Sequence, residues 1–163
     1  MGVRNNMAHE MKRQEKRMPE AEALDLIKNA EYGVFSTQGE DGAYGVPVHA
    51  ALLGETLYIH CALTGHKLEN IKSDPRVCFS VVEDVTVVEK KFTTRFKSAL
   101  AFGRARLAQG DEKRAGLLAL VEKFAPEHKK SGATYIDSAF DKTAVIAIDV
   151  DRIVGKEAPA KGS

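Results

Sequence analysis

Several polar residues that could bind an anion or move a proton lie close together in residues 57–76. Residues 57–61 alternate as in a strand, which puts His60 on the face opposite Leu57. The strand leads into a predicted helix with Thr64 as its N-cap, because a threonine hydroxyl can accept a hydrogen bond from a free first-turn N–H group. Gly65 would then let a ligand approach the backbone closely.

The first turn of this helix carries groups that suit a phosphate. The three- and four-residue spacings of His66, Lys67 and Asn70 predict that they share a polar face. Free N–H groups and the helix dipole favour an anion there, and Lys67 adds a full positive charge. The pattern predicts a phosphate site, and the alternative is a surface helix in which Lys67 and His66 are solvated.

Composition places the chain among ordinary globular proteins. Its 163 residues are 44% hydrophobic and 29% charged, with a net charge of +1, so no nucleic-acid or membrane partner is expected. No apolar run approaches the length of a membrane span or resembles a secretory signal. Cys61 and Cys78 lie in apolar runs, as expected of free thiols in a cytoplasmic protein.

The remaining elements would position the strand-to-helix turn. Period-two patterns predict strands at 32–37, 44–53, 56–62, 76–82, 85–90, 98–108 and 143–150, and helices are predicted at 19–29 and 111–124, with residues 125–141 irregular apart from a short helix near 136–140. Pro47 indicates an edge, a bulge or a gap that faces a ligand, and Gly103 indicates a bend. Because the strands follow one another mainly as hairpins, the pattern predicts a mainly β protein, an antiparallel barrel with peripheral helices.

The chain ends are predicted to differ from this central domain. Residues 1–17 are polar with a basic cluster and are interpreted as an arm that is mobile or lies on a partner subunit. Residues 18–156 form the predicted domain, and residues 157–163 are expected to be a disordered tail.

With these residues laid out, the sequence resembles the split-barrel flavin-binding proteins related to pyridoxamine 5′-phosphate oxidase, in the branch that includes the nitroimidazole-resistance proteins. The matching segments are MKRQEKRM (11–18), YGVFSTQGEDGAYGVPV (32–48), LYIHCALTGHKLENIKSDPRVCFSV (57–81), FKSALAFGRARL (96–107) and VDRIVGKEA (150–158). The resemblance implies an antiparallel split β-barrel and a homodimer with two FMN molecules in clefts between the protomers. The arginine-rich C-terminal segment of true pyridoxamine-phosphate oxidases has no counterpart in GKEAPAKGS, so pyridoxamine 5′-phosphate is not the expected substrate.

The resemblance also implies which residues bind the cofactor. The isoalloxazine would lie against Val46, Pro47, Val48, His60, Cys61 and Ala62, and the phosphate would lie near Gly65, His66, Lys67 and Asn70. Thr94, Phe96 and Ser98 of the partner subunit would close the cleft. The implied phosphate position coincides with the anion site predicted above from the residues alone.

Two histidines are the candidate catalytic residues. His60 and His66 are near the implied cofactor and could pass protons to a nitro compound or a quinone. The alternatives are a barrel-wall role for His60 and a phosphate contact or solvent exposure for His66. His49, like His9 and His128, lacks a supporting group of residues in the sequence.

Three functions remain open at this point. The first is an FMN-dependent oxidoreductase that reduces small aromatic, nitro or quinone-like compounds. The second is a flavin-binding protein without turnover. The third is a haem- or deazaflavin-binding protein on the same fold, in which His60 or His66 could be an axial ligand of haem. No metal-binding spacing is present in the sequence.

Overall fold

The computed structural model describes residues 10–158, which form one antiparallel sheet flanked by α-helices. The strands are β1 (Arg17–Met18), β2 (Gly33–Gly39), β3 (Gly42–Val48), β4 (Ala51–Leu53), β5 (Thr56–Cys61), β6 (Arg76–Val88), β7 (Thr93–Leu107) and β8 (Ala144–Ala158). The helices are α1 (Glu20–Asn29), α2 (His66–Ser73), α3 (Gly110–Phe124) and α4 (Lys129–Ala139), with short 3₁₀ turns at Gln14–Lys16, Glu89–Lys91, Pro126–His128 and Phe140–Lys142.

The sheet curls into the split barrel that the sequence predicts. Its strand order is β3-β2-β6-β7-β8-β5-β4, and β1 pairs with β8. The two end strands, β3 and β4, are joined only by His49 and Ala50, so the two ends of the sheet must come close together. The long pair β7 and β8 shifts register at Gly103, where an added Cβ would lie 2.2 Å from the Asp149 carbonyl oxygen. The bend predicted at Gly103 is confirmed.

Two hydrophobic clusters cover the two faces of β8. The barrel interior is filled by large side chains such as Phe35, Ile59 and Ile146, and α1 adds Ile27 to this cluster. On the outer face, α3 and α4 pack against Val145, Ala147 and Tyr58. Every residue from 144 to 148 is therefore buried, which explains the continuous apolar sequence of this segment.

Several predicted strands have different bounds in the structure. The strand predicted at 44–53 is two strands, β3 and β4, because the pairing stops at His49 and Ala50. The two strands predicted at 76–82 and 85–90 are the single strand β6, which continues through a register shift between Glu83 and Thr86. Residues 93–97, which carried no strand prediction, extend the predicted strand 98–108 to form β7. The predicted bounds rest on the local alternation of residues, whereas the observed bounds depend on where the neighbouring strand pairs.

The segments after residue 125 also differ from the predictions. Residues 125–141 contain the helix α4, which begins seven residues before the short helix predicted near 136–140 and buries only Ile136. The tail predicted to begin at residue 157 is partly wrong, since β8 continues to Ala158, which pairs with Phe96. Residues 159–163 of that tail and residues 1–9 of the arm lie outside the described residues. None of the helices within residues 10–158 is long and apolar enough to cross a membrane.

Candidate functional site

The start of α2 is an uncapped helix terminus beside open space. Gly65 occupies the N-cap position with φ 139°, in the region that favours glycine, and no side chain caps the helix. The prediction of Thr64 as the cap is therefore wrong. The Leu68 and Glu69 N–H groups both donate to the Gly65 carbonyl, at 2.9 and 3.2 Å, so the earlier first-turn N–H groups are left as donors for a ligand. A Cβ added at Gly65 would meet no atom within 4 Å, which shows that this space is open.

The buried side of α2 fixes the helix on the sheet. Leu68 and Ile71 are buried, and so is Asn70, which is 4% exposed. The Asn70 side-chain amide donates a hydrogen bond to Thr37 Oγ1 on β2 at 3.0 Å. Asn70 therefore does not share the solvent-facing side of α2 with His66, contrary to the spacing argument. Its observed contact positions the helix and is not directed at the open space in front of Gly65.

The exposed side of the α2 start lies next to β3 and the end of β5. The His66 and Tyr44 rings have centroids 4.3 Å apart, which joins the helix start to β3. The half-buried Lys67 is close enough to His60 and Cys61 that its positive charge adds to the lowering of the His60 pKa and opposes the rise that burial causes in the Cys61 pKa. The structure thus brings His60, Cys61, His66 and Lys67 to one place.

Strand β3 offers a free edge next to this helix start. Val46 and Val48 point towards the core, whereas Pro47 between them is exposed. Within the described part of the chain, β3 pairs with β2 alone, which agrees with the edge position that Pro47 predicts. Ala62, directly after β5, is also exposed. The backbone of β3 and the end of β5 are accessible to a planar ligand.

The two cysteines are poor nucleophiles in this setting. Cys61 and Cys78 are free and half-buried. Burial raises the pKa of Cys78 to about 11, and burial also raises the pKa of Cys61, although Lys67 acts in the opposite direction. Both thiols are protonated at neutral pH, so Cys61 can only pack against a ligand. Across residues 10–158, no three His, Cys, Asp or Glu side chains could hold a metal ion together.

His60 lies at the edge of an apolar cavity. The cavity has a volume of about 290 Å³, and its walls come mainly from α3 and α4, including Leu120, Phe124 and Ile136. The pKa of His60 is lowered from its ordinary value, first because nearby atoms partly remove the ring from water and then because His49 and Lys67 are close. The His60 imidazole is therefore neutral at neutral pH and can accept or pass on a proton.

The structure identifies His49 as a site residue that sequence reasoning missed. Its ring lines the same cavity and lies 4.0 Å from the Tyr32 ring and 4.6 Å from the Phe124 ring, between centroids. His49 Nδ1 is 2.8 Å from the Glu31 carbonyl oxygen. The break between β3 and β4 gives His49 this position. No signal for it exists in the sequence, because a polar residue at position 49 fits the alternation of the predicted strand 44–53.

The predicted cleft-closing residues lie elsewhere in the protomer. Ser98 pairs with Lys156 on β8, whereas His60 pairs with Val145 on the same strand. Eleven residues of β8 separate these positions, which corresponds to about 35 Å along an extended strand. Thr94 and Phe96 lie still nearer the far end of β7. The chain thus does not bring Thr94, Phe96 and Ser98 to its own His60.

Comparison with known proteins identifies the family. The sequence model of the pyridoxamine 5′-phosphate oxidase family matches residues 19–157, so the chain belongs to this family. The family resemblance found in the sequence is thereby confirmed, as is the split-barrel fold. No curated protein matches the chain.

Three solved structures illustrate the shared fold. A putative 5-nitroimidazole antibiotic resistance protein from Bacteroides thetaiotaomicron has 23% identity and a TM-score of 0.74, with 86% of each chain covered. A conserved hypothetical protein from Mycobacterium tuberculosis has 17% identity and a TM-score of 0.78, covering 94% of this chain and 97% of the other. An FAD and haem binding protein from Mycobacterium smegmatis has 20% identity and a TM-score of 0.71, covering 90% of this chain and 74% of the other.

Proposed function

We propose that the protein binds FMN and uses it to reduce small aromatic, nitro or quinone-like compounds. The observation that carries this proposal is the uncapped start of α2, with Gly65 and Lys67 beside open space and next to the free edge of β3. A phosphate needs such N–H donors and a cation, and a planar ring needs an accessible strand edge. Membership of the family and the names of similar structures support a flavin in general, and FMN is the flavin proposed because its phosphate suits the start of α2.

Each group at the site has a role in this proposal. The first-turn N–H groups and Lys67 hold the phosphate. The contact with Tyr44 holds the His66 ring beside β3. The backbone of β3 and the end of β5 orient the ring system. Bound FMN would supply the transfer of a hydride or of single electrons. His60, neutral at neutral pH and next to the cavity, would pass a proton to the acceptor through its imidazole.

A homodimer with the cofactor between subunits is part of the proposal. The hairpin of β6 and β7 exposes a series of apolar side chains, namely Val82, Val85, Val87 and Phe92. Such a patch is typical of an interaction surface. Phe92 is 99% exposed and has φ 47°, a backbone strain that a bulky residue rarely tolerates without a compensating contact. In a dimer, Thr94, Phe96 and Ser98 of the partner subunit would reach the site that they cannot reach in their own protomer.

The dimer is tested by Phe92→Gly. Glycine accepts the positive φ, so the protomer should keep its fold while the dimer weakens by about tenfold, the effect of losing roughly 1.4 kcal/mol of apolar contact. Sedimentation velocity over a concentration series would measure this change. The control is Leu53→Ala, at an exposed residue of the hairpin that β4 and β5 form. A monomeric wild-type protein, or an unchanged dimer in Phe92→Gly, would contradict the assignment.

The phosphate site is tested by comparing FMN with riboflavin, which lacks the phosphate. A hydrogen bond to a charged group contributes about 1.5–3 kcal/mol, so Lys67→Ala should weaken FMN binding by about 10- to 100-fold and leave riboflavin binding unchanged. Lys72→Ala, in the last turn of the same helix, is the matched control and should change neither. Equal losses for both ligands in Lys67→Ala would show that Lys67 does not bind the phosphate.

Turnover separates this function from its alternatives. The purified protein should show a flavin absorption spectrum that a reductant bleaches and a nitroaromatic or quinone restores. A bound flavin that no such acceptor reoxidises would favour a flavin-binding protein without catalysis. A Soret band that disappears when His60 and His66 are replaced would instead indicate haem, which the name of the Mycobacterium smegmatis structure makes worth testing.

A further inference from the structure

We propose that the cavity between β5 and the helices α3 and α4 binds the electron acceptor, and that His49 selects acceptors carrying a hydrogen-bond donor. This inference rests on the proposed function, because it treats His60 as part of the flavin site. It goes further by naming a second histidine and the chemical class that this histidine recognises: a flat apolar ring of one or two cycles with a hydroxyl or N–H group.

The size and walls of the cavity set the ring class. Its volume is about 290 Å³, and its walls are mostly apolar side chains of α3 and α4 such as Leu117, Leu120 and Phe124. A cavity of about 150 Å³ is enough to hold benzene, so this one has room for a bicyclic aromatic compound. Small-molecule sites typically combine such apolar walls with a few polar groups that fix orientation.

The two imidazoles in the cavity wall are His49 and His60, and Tyr135 adds a largely exposed phenol ring. The two imidazole rings are close together, since burial is the first cause of the lowered pKa of His60 and His49 is the second. His60 is also within the electrostatic reach of Lys67, which belongs to the proposed phosphate site. One histidine therefore connects the cavity to the flavin site, and a ring bound in the cavity would lie beside both.

The surroundings of His49 fix which of its nitrogens is the acceptor. Its Nδ1 is 2.8 Å from the Glu31 carbonyl oxygen, which can only accept a hydrogen bond. Nδ1 therefore carries the proton in the neutral ring, and Nε2 keeps a lone pair. The Tyr32 and Phe124 rings, at 4.0 and 4.6 Å, hold the imidazole in this orientation. Nε2 is then a fixed acceptor, suited to a ligand that donates.

The consequence is a preference that apolar walls alone would not give. A pocket that hydrogen-bonds a ligand hydroxyl discriminates against the analogue lacking it, because the polar group of the pocket then stays unpaired. A purely apolar cavity would bind both analogues about equally. The donor preference therefore tests the role of His49 separately from the existence of the cavity.

The experiment uses 2-naphthol and 2-methoxynaphthalene as probes, which differ in the donor hydroxyl. Isothermal titration calorimetry on the full chain, with and without FMN, should show 2-naphthol binding about tenfold more tightly, the effect of one hydrogen bond. In His49→Asn, the side-chain amide can still donate to the Glu31 carbonyl oxygen, whereas its own carbonyl oxygen ends short of the Nε2 position. The two probes should then bind equally.

A second variant checks that the probes occupy this cavity. Ala139→Met places a longer, flexible side chain at a half-buried position in the cavity wall and should weaken both probes by at least tenfold. Its fold is verified by circular dichroism. Failure of the wild type to bind either probe, or an unchanged preference in His49→Asn, would overturn the proposal.

The outcomes also separate this inference from the proposed function. If FMN binds and reduces acceptors while His49→Asn changes neither probe, the inference fails and the proposed function stands. If no flavin binds but the probes show the donor preference and its loss in His49→Asn, the proposed function fails while the cavity and His49 keep their role as a binding site for donor-bearing rings.

Discussion

Truncation of Asn70 tests whether a buried polar contact holds the proposed phosphate site in place. Asn70 is 4% exposed, and its amide donates to Thr37 Oγ1 at 3.0 Å. The Thr37 hydroxyl itself faces the Tyr44 carbonyl oxygen at 3.5 Å. The other end of the Asn70 amide packs against β2, because a Cβ added at Gly39 would lie 2.0 Å from Asn70 Oδ1. Asn70→Ala would therefore leave the Thr37 hydroxyl without its donor and leave a space beneath α2.

The expected loss of stability follows from these contacts. Leaving a buried partner unsatisfied costs about 1–3 kcal/mol, and the lost packing adds to this, so we expect a loss of about 2–3 kcal/mol. For a chain of this size, that corresponds to a melting temperature lower by about 4–12 °C. FMN affinity should fall as well, because the start of α2 loses its fixed position on β2.

Urea denaturation followed by circular dichroism, at one protein concentration for all variants, would measure the change in the free energy of unfolding. Glu69→Ala, at the exposed neighbouring position on α2, is the control and should stay within about 0.5 kcal/mol. Gly39→Ala disturbs the same contact from the sheet side and should also destabilise the protein. A loss below 0.5 kcal/mol in Asn70→Ala would refute the view that Asn70 anchors the helix.

Two further predictions follow from the shifted pKa values. The Cys78 thiol, with a pKa of about 11, should react slowly with a disulfide reagent at pH 8, where about one thousandth is thiolate, and a Cys61→Ser background would isolate its rate. A rate equal to that of an exposed cysteine would contradict the burial of Cys78. His60 should titrate below its ordinary pKa by NMR, and Lys67→Met should raise that pKa because a nearby positive charge is removed. Since unfolded His60 takes up its proton at the higher, ordinary pKa, its contribution to stability should decrease as the pH falls from that value through the lower folded pKa; a normal His60 titration would refute this.

The fold could be predicted largely from local patterns. Alternating apolar residues located most of the sheet, and Gly103 indicated the bend that closes it. Prediction failed where local periodicity and long-range pairing disagree. Strand β6 continues through Asp84 at φ 54° because β7 pairs with it on both sides of the irregularity. Helix α4 begins at Lys129, seven residues before the short helix predicted near 136–140, and it buries only Ile136.

The site was predicted less completely than the fold, for a related reason. The three- and four-residue spacings place His66, Lys67 and Asn70 near one another, but they do not determine the rotation of α2 about its axis. That rotation is set by the burial of Leu68 and Ile71, and Asn70, directly before Ile71, is turned towards the sheet with them. The residue type alone did not indicate that Asn70 is buried, because an asparagine is buried only where a hydrogen-bond partner such as Thr37 is present.

Two of the misjudged residues, Asn70 and His49, owe their positions to contacts between distant parts of the chain. The Asn70–Thr37 bond spans 33 residues, and the His49–Glu31 contact spans 18. The first contact fixes the helix whose start would bind the phosphate, and the second fixes the imidazole that faces the cavity. Because the flavin would provide the same redox chemistry in any protein that binds it, acceptor choice in the proposed function would depend on residues around the cavity. His49 is such a residue, and it occurs where a predicted strand is interrupted. The break in strand pairing between β3 and β4 is therefore the place in this chain where specificity is best sought.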